Sequence, residues 1–222
     1  MPIVAILGEV LPQHASAIRA TSAADPTGTL TILVSSQGGA TDAALAAADA
    51  IAAHRRGRTV GRAVRACHSA SIAILCACDE RRARIGTTFE FHGTAPLRPL
   101  AGRMTAPRLR QLADGLAATD ATFRQRIAAA TGTPVSQIAH LEENNVVLDT
   151  LEALNIGLLT EITGYPALSA AAARQRSARD EARRPVVWTA AERRQMRELG
   201  LTERVLGIAP RALRVMLRQG RA

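Results

Sequence analysis

The 222-residue chain is 47% hydrophobic but only 2% aromatic, enough apolar surface for one substantial core built from Ala, Leu, Val and Ile, with too few rings to form a base-stacking nucleic-acid platform. All 28 basic residues are arginine, so a Ser/Lys dyad, a Schiff-base lysine and a phosphate-loop lysine are excluded. The formal charge of +9 is uneven: residues 1–164 hold 15 Arg and 14 Asp/Glu, residues 165–222 hold 13 Arg and 5 Asp/Glu, so the basic character belongs to the C-terminal part.

In chain order, Ile3 to Leu7 reads as a buried strand ended by Gly8, and Leu11 to Ala20 has helical spacing. Leu30 to Val34 is a second strand running into Gln37-Gly38-Gly39, followed by an Ala-rich helix from Asp42 to His54. Thr59 to Ala66 is a third strand. It leads through a small-residue turn at Ser71 into an apolar helix reaching Cys78. Short strands follow at Arg82 to Ile85 and Thr88 to Phe91. Beyond a Pro- and Gly-containing connector, Pro107 to Thr131 predicts one long helix stopped by Gly132-Thr133-Pro134. Val135 to Glu143 and Asp149 to Asn155 predict two short helices, and Leu158 to Ile162 one closing strand. The repeated strand, turn, helix order predicts a parallel sheet with crossover helices, whose ligands gather at the carboxyl ends of strands.

After Tyr165-Pro166 the composition turns Ala- and Arg-rich, which divides the chain into a domain over 1–164 and a basic tail over 165–222. Thr189 to Glu198 and Thr202 to Leu217 read as short basic amphipathic helices. Gly207 to Leu213 faintly resembles part of a helix-turn-helix, and a solvated or partner-docking tail is the preferred reading over DNA binding. Cys67, Cys76 and Cys78 are expected as buried small hydrophobes rather than a disulfide or metal framework, so no metal and no cofactor are expected. The stretch from Met1 to Glu9 lacks the basic flank of a signal peptide, and no stretch reaches transmembrane length without charge. A soluble cytoplasmic protein without membrane association is expected.

Acyl transfer needs a nucleophile, a base, a group orienting that base, and N–H donors for the oxyanion. Ser71, at a strand-to-helix turn, is the candidate nucleophile, and His92, after the strand ending at Phe91, the candidate base. His68 competes as base but is expected to point away. The amides of Gly39 and Ile72 are the candidate oxyanion hole.

The order and spacing of these elements resemble the Clp protease proteolytic subunits (ClpP). Val34-Ser35-Ser36-Gln37-Gly38-Gly39 is similar to the family's Asn-Ser-Pro-Gly-Gly, Cys67 to Ile72 to its Gly-x-Ala-Ala-Ser-Met turn, and Glu90-Phe91-His92 to its Met-x-His. The resemblance, over roughly residues 3 to 162, implies the ClpP/crotonase-like α/β spiral of β-β-α units with a long handle helix. It also implies a serine-type endopeptidase cleaving peptides or unfolded polypeptides within a homo-oligomeric ring, with a Clp-type ATPase as a conceivable partner. Counted from Thr131-Gly132 to Glu152-Ala153, the family's triad aspartate falls on Asn145, and Glu142, Glu143 or Asp149 are its conceivable substitutes. Asparagine can hold an imidazole but carries no charge to stabilise its protonated form. This makes a weak or inactive structural or regulatory subunit one alternative; a crotonase-type acyl-CoA enzyme is another, since that related architecture also builds an oxyanion hole from two backbone amides after strands.

Overall fold

The computed structural model describes residues 2–96 and 104–164, so the basic tail expected from residue 165 and most of the connector before the long helix lie outside the described residues. Five parallel strands form the main sheet in the order β1-β2-β3-β4-β7: β1 (Ile3–Val10), β2 (Thr29–Gly39), β3 (Arg58–Cys67), β4 (Glu80–Ala83) and β7 (Glu161–Ile162). Successive strands are neighbours, joined by α1 (Pro12–Ala24), α2 (Thr41–Ala52) and α3 (Ala70–Cys76), as the strand, turn, helix pattern predicts. A two-stranded antiparallel ribbon, β5 (Phe89–Glu90) with β6 (Val147–Leu148), stands beside the end of β3. The remaining helices are α4 (Ala106–Thr131), α5 (Val135–Glu143) and α6 (Thr150–Asn155).

Strand alternation decides which face of the sheet is covered. In β1, Val4 and Ile6 are buried while Ile3 and Leu7 are exposed, the two-residue period of a strand with one buried face. The inward positions of β1 and β2 meet Ala15 and Ile18 of α1 and the alanine face of α2 (Ala43, Ala44, Ala47, Ala50, with Ile51) in one core. Small alanine faces let helix and sheet approach closely. The limit is reached at Gly61 in β3, where a Cβ would lie 2.7 Å from Leu75 and 3.0 Å from Cys78, so α3 rests on bare backbone. The cysteines are packed here as small hydrophobes: all three are buried and free, and burial pushes the thiols of Cys67 and Cys76 up to about 12 and that of Cys78 higher still.

Helix α4 is 26 residues long, about 39 Å at 1.5 Å per residue. It begins with proline in its first turn and ends on left-handed Gly132 (φ 71°), whose amide donates to Ala128 O at 2.8 Å. Only Phe123, Ile127 and Thr131 are buried, a stripe at four-residue spacing confined to its C-terminal half. That half packs on the domain, and the N-terminal half stands in solvent.

Arg81 holds three helix ends together. Its guanidinium is buried and donates to Leu158 O (2.9 Å), Cys78 O (3.1 Å), Ala130 O (3.1 Å) and Gly157 O (3.2 Å). These carbonyls lie at the C-terminal ends of α3, α4 and α6, where orphan acceptors and the negative end of each helix dipole favour a cation. Only the five-donor fork of arginine reaches all four.

Replacing Arg81 by methionine keeps the apolar stem but strands four carbonyls, three of them fully buried, a loss of about 3 kcal/mol or more. The expected outcome is a thermal midpoint lowered by at least about 6 °C in calorimetry. The thiol environment makes a second prediction. At pH 8 the folded protein should react with a disulfide reagent such as DTNB at none of its three cysteines within an hour, and at all three in denaturant, because thiols held neutral and buried are not nucleophiles.

Candidate active site

The ends of β2 and β3 make the site. The two strands run in register from Thr29 opposite Arg58 to Val34 opposite Ala63, and then Ser36 lies opposite Cys67. Two residues of β2 are thus matched by four of β3, and Arg65, inside the extra length, is left-handed (φ 70°). The chain is pinned again at once. His68 N donates to Ser36 O at 3.0 Å and Ser69 N to Glu90 O at 2.8 Å, so the turn after β3 is fixed to β2 on one side and β5 on the other.

Ser69 sits at the top of this turn, immediately before α3, with φ 53° and ψ −128°. A non-glycine residue in that conformation is strained and is held only by its surroundings. Here the surroundings are the two backbone bonds just named and Gly38, where a Cβ would come within 2.8 Å of the Ser69 Cβ and 3.2 Å of its Oγ. Gly38 must lack a side chain for the serine to occupy its place. The Ser69 hydroxyl makes no hydrogen bond among the described residues, and it lines a cavity of about 210 Å³ together with Gly39, His92 and Asp120.

Ser71, the expected nucleophile, is placed elsewhere. It is fully buried one turn into α3, and its Oγ donates to His68 O at 2.7 Å, with Ser36 O and the Cys67 sulfur at 3.5 Å. It ties the helix to the turn and does not line the cavity. The Ile72 amide likewise is not a free donor, since it bonds Ser69 O at 3.0 Å. The free donor at this helix start is the amide of Ala70, the first residue of α3, which has no acceptor among the described residues. Gly39 lines the cavity, while the neighbouring Gly38 amide is taken by Ser36 Oγ at 3.0 Å. Ser69 also has the spacing of the turn that the sequence resembles. In the turn Gly-x-Ala-Ala-Ser the glycine precedes the serine by four residues, and it is Arg65, left-handed as a glycine would be, that stands four residues before Ser69.

His92 follows β5 and lines the same cavity. Its Nδ1 lies 2.8 Å from Gly93 O. A carbonyl only accepts, so Nδ1 carries the proton and the lone pair of the neutral ring is on Nε2. No hydrogen bond joins His92 to Ser69 among the described residues. His68 points away from the cavity: its Nε2 contacts Thr88 Oγ1 at 2.8 Å and its Nδ1 lies 3.2 Å from Glu90. Asn145 is exposed and left-handed (φ 49°), in the turn between α5 and β6, and its side chain makes no hydrogen bond to His92. Its backbone is close by, since Phe91 N donates to Val146 O at 2.9 Å.

Two carboxylates line the cavity. Asp120, on α4, accepts Thr94 N–H on Oδ1 at 2.7 Å. Glu142 is buried and ion-paired with Arg124, and burial, only partly offset by that arginine, pushes its carboxyl upward. Neither Glu143 nor Asp149 lines the cavity, and Asp149 is occupied as the N-cap of α6 with Leu151 N and Glu152 N. Among the described residues no group of three His, Cys, Asp or Glu could hold a metal ion, and no helix is long and apolar enough to cross a membrane. Phe91, Phe123 and Ile127 form an apolar side of the wall, and Gln37, Thr41 and Thr94 add polar groups to it.

The fold matches a solved structure, an Asn-to-Asp variant of ClpP1 from Listeria monocytogenes, with a TM-score of 0.63 and 22% identity over 75% of this chain and 94% of that one. No curated protein matches the sequence. The family model described as Clp protease matches residues 3–166, nearly the whole of the described fold, and the chain belongs to the Clp protease family.

Proposed function

We propose that the protein is a ClpP-like serine peptidase in which Ser69 is the nucleophile and His92 the general base. The observation that carries this reading is Ser69 itself: a free hydroxyl on a strained strand-to-helix turn, facing the cavity that His92 also lines. Backbone strain of this kind persists where the position of one side chain matters.

The chemistry follows from the donors and acceptors. Nε2 of His92, unprotonated because Nδ1–H is committed to Gly93 O, takes the Ser69 proton as Oγ attacks the peptide carbonyl. The amides of Ala70 and Gly39 are the donors available to the oxyanion. His92 then returns the proton to the leaving amine, and water repeats the sequence on the acyl-enzyme. Catalytic hydrogen bonds of free enzymes are often open and tighten with substrate, which accounts for the unjoined Ser69 and His92. A cavity of about 210 Å³ is smaller than those that enclose whole ligands, and with one apolar wall it suits a single side chain of an extended polypeptide. Assembly into a homo-oligomeric ring, action on unfolded chains and a cytoplasmic setting belong to the same proposal by family membership.

Hydrolysis of fluorogenic peptides tests the assignment. Ser69→Ala should reduce kcat/KM by about 10³-fold or more, while Ser71→Ala should stay within about threefold of wild type and lose about 1 kcal/mol of stability with its buried hydrogen bond. The reverse ranking would return the nucleophile to Ser71. A folded wild type that hydrolyses no peptide and binds no fluorophosphonate would make the chain a non-catalytic member of its family.

A further inference from the structure

We propose that Asp120, on the long helix α4, is a positioning residue that supplies to His92 the orientation and charge a third triad carboxylate would give, acting through the peptide unit between Gly93 and Thr94. The proposal rests on the reading of Ser69 and His92 as the reacting pair.

Asn145, the position matching the family aspartate, is exposed and does not reach the ring. The ring's contact at Nδ1 is instead Gly93 O, the carbonyl of the very next residue. Such a carbonyl can hold an imidazole only if its own peptide plane is fixed. Residues 91–96 form neither helix nor strand, and Gly93 has no side chain to anchor it. Asp120 provides the anchor. Its Oδ1 accepts the N–H of Thr94 at 2.7 Å, and that N–H belongs to the same planar unit as the Gly93 carbonyl. Because the unit is planar and trans, fixing the direction of N–H fixes the opposite direction of C=O. A carboxylate on the N–H also polarises the amide and makes its oxygen a stronger acceptor, so negative charge is passed toward Nδ1, where the imidazolium forms. A Cβ added at Gly93 would lie 3.5 Å from the second Asp120 oxygen, which shows how closely the carboxylate is laid along this segment. Asp120 stands one turn before the point where α4 becomes buried at Phe123, so the helix that packs on the domain also holds the base.

Peptide hydrolysis by Asp120→Ala and Asp120→Asn, with thermal midpoints to confirm folding, tests the proposal. The alanine variant should lose about 100-fold in kcat, the scale of a misplaced catalytic group, with KM within twofold and an acidic limb of the pH profile moved to lower pH as the imidazolium loses support. The asparagine variant, whose amide oxygen accepts the same N–H, should recover to within about fivefold of wild type. Alanine within threefold of wild type, or asparagine no better than alanine, would overturn the proposal. Should the alanine variant not fold, the isosteric asparagine decides alone: activity within fivefold supports the anchor and a 100-fold loss refutes it. Hydrolysis that survives Ser69→Ala would instead overturn the reading of the reacting pair, and so separates the two failures.

Discussion

The two extra residues that β3 inserts opposite β2 set the geometry of everything at the cleft. With Ala63 opposite Val34 and Cys67 opposite Ser36, the chain leaves β3 later and turned relative to its neighbour, and the His68 N to Ser36 O bond fixes it there. Ser69 then falls against Gly38, its amide reaches Glu90 O, and α3 starts with the Ala70 amide open toward the cavity. The strained φ of Ser69 is therefore a consequence of strand register, and strand register is a consequence of which β2 and β3 residues face the core.

Much of the fold is legible because its signals are local. The alternation in Ile3 to Leu7, the alanine face of α2 and the Pro-to-Gly span of α4 each name their element, and consecutive strands separated by helices leave few arrangements other than a parallel sheet. The boundaries moved where tertiary contacts override pattern: β2 runs on through Gln37 to Gly39 because Glu9 and Val10 of β1 extend beside it, and β4 begins at Glu80 rather than Arg82. The site was harder. His92 and Gly39 are marked by a strand end and a glycine, which a sequence displays. The bulge at Arg65 is not displayed, since arginine carries no sign that it will adopt φ 70°, so the sequence alone points to Ser71 and Ile72 where the proposed nucleophile and oxyanion donor are Ser69 and Ala70. The role of Asp120 is invisible for a different reason. It depends on a contact 26 residues away in sequence, made to a backbone amide that no residue type announces.

The absence of lysine shapes the structure as well as the chemistry. The buried cation that gathers the ends of α3, α4 and α6 must donate in four directions, which an ammonium group with three donors does not do. Arg81 thus links the end of α4 to the sheet, while Asp120, about three turns earlier on the same helix, meets the segment after His92. One helix is tied at its end to the core and along its length to the cavity, so stability and orientation of the base share a support.

The proposed reactive group is Ser69 and not the buried serine two residues later. Labelling the folded protein with a fluorophosphonate and locating the adduct by peptide mass spectrometry measures this directly, since both serines fall in one short peptide and fragmentation separates them. A single adduct on Ser69 is expected, lost when the protein is unfolded before labelling. An adduct on Ser71, or equal labelling of several serines with no preference for the folded state, would contradict it.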